Sequence, residues 1–378
     1  MNKKEILIIF PNEWLAYTPT VLNIVAKLKD SFEIKVLAID DGLYNNNNLV
    51  AQEFQFIKVN KIVRQLVKFI DLFSFKLGKF TVRGTKFYQF VKIALIYYNL
   101  KKICRDNANS EIIAVDSMGL FIAQKLFKKC HFLSLEPHKD YLFRKSDLSR
   151  IESAIAHSEE RYDYLFKESS INAFIIPNSP IFENGLEPKQ YPSSPCRGIF
   201  FGNATQRNGI YYCLDAIRSS EDISITVKGA MSPEVRENIF QNYSDLIDSG
   251  QLEIDNTYLQ QEEIIEYLSR FWFGFCFYNF GYVDEVTHFN FTSVPSGKMF
   301  NYYAAGVPVI GSNILGLKSV RDFDAGILLD KPSPETIFLA IKQILIEHQK
   351  YRQNCLKAAE HFDFDKSVNK FKEYLLLK

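Results

Sequence analysis

Short apolar runs recur along this chain, separated by stretches whose hydrophobic positions repeat every three or four residues. In the first half the runs are 5–10, 32–39, 54–59, 111–115, 131–135, 153–157 and 173–177. Helical spacing fills the gaps at about 18–29, 61–77, 84–105, 117–128 and 159–168. Strands that alternate with helices predict a parallel sheet covered on both faces. The alternation breaks at Pro177-Asn178-Ser179-Pro180, and five prolines (177, 180, 188, 192 and 195) mark the stretch to 195 as a linker. A second alternating unit follows. Its strands are expected at 198–202, 223–228, 251–254, 272–278, 307–310 and 326–329, and its helices near 209–218, 232–246, 261–269, 296–305, 314–321 and 334–347. Two more helical stretches, 349–360 and 365–377, complete the chain. The expected fold class is therefore α/β, with two doubly wound, Rossmann-like domains facing a cleft. Ligands of such sheets bind at the carboxyl ends of the strands.

Composition narrows the reading. The chain has 378 residues, 47% of them apolar, enough for two cores, and its net charge of +1 points to no nucleic acid partner. Met1-Asn2-Lys3-Lys4 runs directly into the first apolar stretch, too short for a signal-peptide core. No run of 18 uncharged apolar residues predicts a spanning helix. Cys104, Cys130, Cys196, Cys213, Cys276 and Cys355 are scattered without a Cys-x-x-Cys pair. This favours reduced thiols in a cytoplasmic protein and argues against a structural zinc.

Residues 292–330 carry the strongest local signal. Pro295 and Ser296 read as a helix start, where Ser296 can cap the free amides and Lys298 lies in the first turn. Ala304, Ala305 and Gly306 close that helix, with Gly306 suited to a left-handed cap. Free amides and a lysine at a helix N-terminus suit phosphate. The same residues also read as an ordinary βαβ turn whose serine is only a cap.

Four segments together resemble the GT-B fold glycosyltransferases, specifically the retaining "group 1", glycosyltransferase family 4-like enzymes of bacterial capsule, lipopolysaccharide and exopolysaccharide synthesis. They are Ala156-His-Ser-Glu-Glu-Arg161 with Ile175-Ile-Pro-Asn-Ser-Pro180; Phe200-Phe-Gly-Asn-Ala-Thr-Gln-Arg-Asn-Gly209; Ile225-Thr-Val-Lys-Gly229; and the 292–310 segment, similar to the family's Pro-Ser-Lys, Tyr and Ala-Gly-x-Pro-Val-Ile signature. The resemblance implies an acceptor-binding domain at 1–180, a nucleotide-sugar-binding domain at 181–362 and a C-terminal helix, 363–378, that crosses back to the first domain. It implies a UDP- or GDP-linked sugar as substrate, a saccharide or lipid-linked saccharide acceptor, and no further cofactor or metal.

By the same resemblance, Gly202 and Asn203 let the diphosphate approach the first strand's end. Arg207, Lys228, Ser296, Gly297 and Lys298 stabilise the leaving group. Tyr258 meets the nucleobase, and Asn301 hydrogen-bonds the ribose. Each has a plainer reading: Arg207 a solvated loop residue, Lys228 a surface strand end, Tyr258 a packed aromatic. Two glutamates of the family align with Ser293 and Asn301, neither of them acidic. Asp284 and Glu285, in an expected loop at 280–292, are substitutes for that pair or simply solvated. Glu136 and His138, at the end of the 131–135 strand, are the candidate catalytic residues on the acceptor side; a cap or ion pair is the alternative for Glu136. Asp116, after the 111–115 run, reads first as the N-cap of the following helix.

Residues 58–105 hold twelve Lys or Arg against one acid, Asp71, a net +11 in a chain of +1. Phe69, Phe73, Phe75, Phe80, Phe87, Tyr88, Phe90, Tyr97 and Tyr98 lie among them. Such helices either dock on anionic lipid of the inner leaflet or form a cationic core helix. The expected location is cytoplasmic and peripheral at the inner face of the membrane. Two other functions fit parts of the pattern. A non-hydrolysing sugar-nucleotide 2-epimerase shares the fold, and a non-catalytic glycosyltransferase-like partner subunit would explain the missing acidic pair.

Overall fold

The computed structural model describes residues 3–40, 52–60, 62, 63, 65, 76, 77, 80, 81, 84–103, 110–167, 169–181, 196–257, 259–278 and 285–378. The chain divides into two compact units: Met1–Pro177 with Ser367–Lys378, and Asn178–Lys366. The sequence placed the first changeover three residues later, at 180, and the final return at 363.

The first unit is built on β1 (Lys4–Phe10), β2 (Phe32–Asp40), β3 (Phe54–Lys58), β6 (Glu111–Val115), β7 (Cys130–Leu133), β8 (Ile151–Ala156) and β9 (Asn172–Ile175), a parallel sheet in the order β3-β2-β1-β6-β7-β8-β9. β4 (Lys76–Leu77) and β5 (Phe80–Thr81) form a separate antiparallel pair. Lys76 and Leu77, expected at the end of a helix over 61–77, are strand residues that pair with Thr81 and Phe80 instead. Alternate strand residues face opposite sides, so Leu7, Ile9, Ile112 and Ala114 join one core while Ile6, Ile8 and Ile113 are buried on the other face.

The second unit holds β10 (Cys196–Phe201), β11 (Ile223–Lys228), β12 (Leu252–Asp255), β13 (Phe273–Cys276), β14 (Val309–Ser312) and β15 (Gly326–Leu329), in the order β12-β11-β10-β13-β14-β15. Phe200, Ile225 and Phe275 pack under helices Ile210–Ile217 and Pro334–Ile346. Ile199, Cys276 and Val309 pack under helices Gly297–Ala305 and His348–His361. β14 starts two residues later than expected, since Pro308 contributes only its carbonyl, to Gly274 N at 2.9 Å. Residues 285–292 form a helix instead of a loop. In each sheet the strand order reverses beside the first strand, between β1 and β6 and between β10 and β13. Loops leaving the two strands in opposite directions open a crevice there.

The C-terminal segment is tied to the N-terminal edge of the first sheet. His131, fully buried, bonds Ser153 Oγ (2.8 Å) and Glu111 (3.0 Å), with Phe371 and Tyr374 against its ring. Lys378 reaches Glu152 and Glu111, Lys4 bonds Glu111 (2.7 Å), and Lys129 lies 3.3 Å from Glu152. Glu111, His131 and Glu152 stand close enough to hold a cation, but their charge is already met by these three lysines. The His131 hydrogen bond, opposed by burial, holds the Glu111 carboxyl down near pKa 2.

Candidate active site

β10 ends at Phe201, and the chain turns at Gly202 with φ +96°. A Cβ on Gly202 would meet nothing within 4 Å, so open space lies over the turn. Beneath it, Gly229 (φ +140°) packs on the Gly202 carbonyl so closely that a Cβ would lie 2.2 Å from that oxygen. Only glycine satisfies both the backbone angle and the approach. Thr205 Oγ1 accepts from Asn208 N (3.2 Å), and Asn208 Nδ2 donates to the Asn203 carbonyl (3.1 Å). These bonds set the loop, leaving Asn203 and Arg207 exposed, with the Arg207 guanidinium 5.0 Å from the Phe291 ring centre.

The Gly297–Ala305 helix presents its N-terminus at the same strand ends. Ser296 takes the N-cap position, but its side chain makes no capping bond, contrary to the sequence expectation. It is buried near the Cys276 thiol at the end of β13. The first intrahelical bond runs from Phe300 N to Ser296 O (3.3 Å), so the amides of Gly297, Lys298 and Met299 precede the ladder. Gly297 packs against Asn178: a Cβ would lie 2.9 Å from its Nδ2. The Lys298 ammonium lies 5.7 Å from the Phe200 ring and 5.6 Å from the Tyr278 ring. Among the described residues no carboxylate pairs with it. The Asn301 carboxamide, partly buried one turn on, likewise has no hydrogen-bond partner among the described residues.

Lys228 is not a surface strand end. It is 3% exposed, 2.8 Å from Asp255, and donates to the Thr257 carbonyl (2.6 Å) and hydroxyl (2.5 Å). Tyr267 donates to the other Asp255 oxygen at 2.7 Å. Burial pushes the Asp255 carboxyl up, but the hydrogen bonds from Lys228, Thr257 and Tyr267 win and hold it well below the usual range. Beside this group an open cavity of about 210 Å³ is lined by Thr257, Leu259, Glu263, Glu266, Tyr267 and Arg270. Tyr258 and Asp284 lie outside the described residues, and Glu285 is the first residue of the Glu285–Thr292 helix.

In the first unit the loop after β7 carries Glu136, partly buried, and His138, exposed. Glu136 Oε2 is buried with no hydrogen bond among the described residues. Asp116 is not the N-cap: it is the first residue of the Asp116–Leu126 helix, in left-handed backbone (φ 53°). Its Oδ1 accepts from Leu135 N (2.8 Å) and Glu136 N (3.2 Å) instead of closing its own helix. Burial raises the Asp116 carboxyl to about 7, the two amides pulling it back and the negative Glu136 and Asp140 adding to the rise. Sequence reasoning also missed Asn12 and Glu13, just beyond β1. Lys92 meets them at 3.5 and 3.0 Å from the Gly84–Ile103 helix. Their one visible signal was a polar pair directly following an apolar strand.

No protein-family profile matches the chain, and no curated protein matches it significantly. Solved structures do. Anabaena HepE in complex with UDP is 11% identical over 99% of this chain and 100% of that one, with a TM-score of 0.65. The lipopolysaccharide outer core galactosyltransferase WaaB, apo form, is 12% identical over 97% and 98%, with a TM-score of 0.62. Sucrose-phosphate synthase from Thermosynechococcus elongatus is 14% identical over 99% and 100%, with a TM-score of 0.65. Its two parallel-sheet α/β domains give this chain the GT-B fold.

Proposed function

We propose that this protein is a glycosyltransferase that moves a sugar from a nucleotide-sugar donor to an acceptor hydroxyl. The observation that carries the reading is the second unit's strand-end site. There the open Gly202 turn, the first-turn amides at Gly297–Met299 and the unpaired Lys298 ammonium converge beside β10 and β13. These groups suit a diphosphate whose negative charge grows as the glycosidic bond breaks. Lys298 and Arg207 supply the positive charge, so the chemistry calls on no metal or further cofactor. Asn301, one turn along the same helix, suits a ribose hydroxyl, and the cavity beyond Thr257 offers space for a base.

The UDP carried by the Anabaena structure supports UDP as the first nucleotide to test. The first unit takes the acceptor, with Glu136 and His138 at its strand ends. We assign the acceptor to the lipid-linked saccharides of surface polysaccharide synthesis, at the inner face of the membrane. The excess of +11 in residues 58–105 supports this. Residues 66–75 of that segment lie outside the described residues, and among the described residues no helix is long and apolar enough to cross a membrane. The motifs of the second unit support kinship with the group 1, family 4-like enzymes. The retaining outcome of those enzymes is not carried over, because Ser293 and Asn301 stand where they have carboxylates.

Thermal shift with UDP, GDP and their sugar conjugates tests the proposal, followed by nucleotide release from the stabilising donor. Stabilisation and release with an acceptor present are expected. Stabilisation without release would favour the non-catalytic subunit, and conversion of the donor alone to its 2-epimer would favour the epimerase.

A further inference from the structure

We propose that Asp116 takes the proton from the acceptor hydroxyl during transfer. The inference rests on the glycosyltransferase reading and adds to it a catalytic residue. Asp116 stands at the carboxyl end of β6, beside the strand-order reversal of the first sheet, where an acceptor would lie. A non-glycine residue held at φ 53° is costly, and here two amide bonds to Oδ1 hold it. They fix the carboxylate plane and leave Oδ2 without a hydrogen bond among the described residues. One oxygen is anchored and the other is available, as a positioned base requires.

The groups around it set its readiness. Glu136 and Asp140 oppose its negative charge, with Asp140 held by the Ser117 hydroxyl at 2.6 Å. Arg161 supports the same loop from behind, donating to the Leu135 carbonyl at 3.0 Å. Burial and these neighbours raise the carboxyl to about 7, so a large fraction is free to accept a proton at neutral pH. His138, exposed and outside any bond that would aim it, has no such positioning. In the step, the acceptor O–H proton passes to Asp116 Oδ2 as the oxygen bonds the anomeric carbon. The carbon–oxygen bond to the diphosphate breaks, its electron pair leaves on the phosphate oxygen, and Asp116 later gives its proton to water.

The test measures release of UDP or GDP by the full chain from its stabilising nucleotide sugar, with octyl glucoside as hydroxyl acceptor and with sodium azide, which brings no proton. Asp116→Asn keeps an oxygen for both amides and a residue tolerant of left-handed backbone. It should slow hydroxyl transfer at least ~100-fold, the scale of a lost general base, while azide restores release to within about tenfold of wild type. In wild type, kcat/KM should fall on acidification through pH 7, and Glu136→Gln should move that limb lower by removing a like charge. An Asn variant that keeps its hydroxyl rate, a dead variant that azide does not restore, or a limb that Glu136→Gln leaves in place would each overturn the assignment of Asp116. A wild-type chain that releases nothing from any donor would overturn the glycosyltransferase reading itself.

Discussion

Lys228 and Asp255 are register partners on adjacent strand ends, and their largely buried charged groups meet 2.8 Å apart. A buried pair of this kind contributes little beyond what its desolvation costs, but breaking it leaves a charge stranded. Lys228→Ala should therefore destabilise the protein by about 3 kcal/mol, and adding Asp255→Asn should recover most of that loss. The decisive measurement is donor turnover in the double variant. A recovered rate would show Lys228 to be a structural partner of Asp255, whereas a rate that stays low after stability returns would give the ammonium a part in stabilising the leaving group.

Lys298 behaves oppositely because no carboxylate is left behind when it is removed. Its ammonium rests between the Phe200 and Tyr278 rings. Lys298→Ala should leave the melting temperature within a few degrees of wild type. A charge-assisted bond to phosphate is worth about 1.5–3 kcal/mol, so UDP or GDP binding should weaken by roughly 10- to 100-fold. Calorimetric titration at two salt concentrations checks this, since the lost term is electrostatic. Unchanged affinity would remove Lys298 from the site.

The difference between these two lysines marks where the sequence stopped being legible. Strand and helix alternation read directly, because burial on both sheet faces forces long apolar runs; β1, β2, β6 and β11 fall within about two residues of expectation. Gly306 was legible too, since a glycine closing a helix suits a left-handed cap, and its φ is +66°. What could not be read was which partner a polar side chain finds across the sheet. Lys228 gave no sign of Asp255, 27 residues on. Asp116 was misread for the same reason: a local cap is visible in sequence, but bonds to amides 19 and 20 residues away are not.

Two glycines in the strand-end turn should respond differently to an added methyl group. At Gly229 a Cβ falls 2.2 Å from a backbone oxygen, with no flexible side chain to give way. Gly229→Ala should push β10 and β11 apart at their ends and cost stability and nucleotide binding together. At Gly202 the space is open, so Gly202→Ala should cost only about 1 kcal/mol of backbone strain, while placing a methyl where the diphosphate would approach. Melting temperature and UDP affinity, measured on both variants, should separate them; a Gly202→Ala protein that binds nucleotide normally would exclude close approach at this turn.

Two buried histidines should weaken the fold on acidification. Burial, with Arg161 nearby, lowers His157 to about 3, and its Nε2 lies 3.1 Å from Thr20 Oγ1. Burial lowers His348 to about 4, opposed by its bond to the Trp272 carbonyl and aided by Arg352. An unfolded histidine takes a proton near 6.5. Between that pH and 4 the unfolded chain binds more protons, so stability is full above 6.5 and is lost as pH falls. At pH 5 each histidine should cost about 1–2 kcal/mol. Denaturant midpoints from pH 7.5 to 5 should fall, and His157→Gln should flatten the dependence.

The Gly84–Ile103 helix bears on the membrane question because its two faces differ. Lys92, Ile96 and Leu100, spaced four apart, are buried in the first unit, and Lys92 is paired there with Glu13. Phe90 (68% exposed) and Tyr98 (61%) point the other way, with Lys101 and Lys102 exposed beside them and the Lys102 ammonium 4.4 Å from the Tyr98 ring. Exposed aromatics flanked by lysines suit a lipid interface, where each cation near anionic lipid is worth about 1 kcal/mol. Vesicles containing anionic lipid should float the protein, and neutral vesicles should not. Replacing Lys101 and Lys102 with Gln should lower recovery severalfold, and Phe90→Ser with Tyr98→Ser should lower it further at unchanged charge. Equal flotation with neutral lipid, or none with either, would detach this face from any membrane role and leave the acceptor without a lipid anchor.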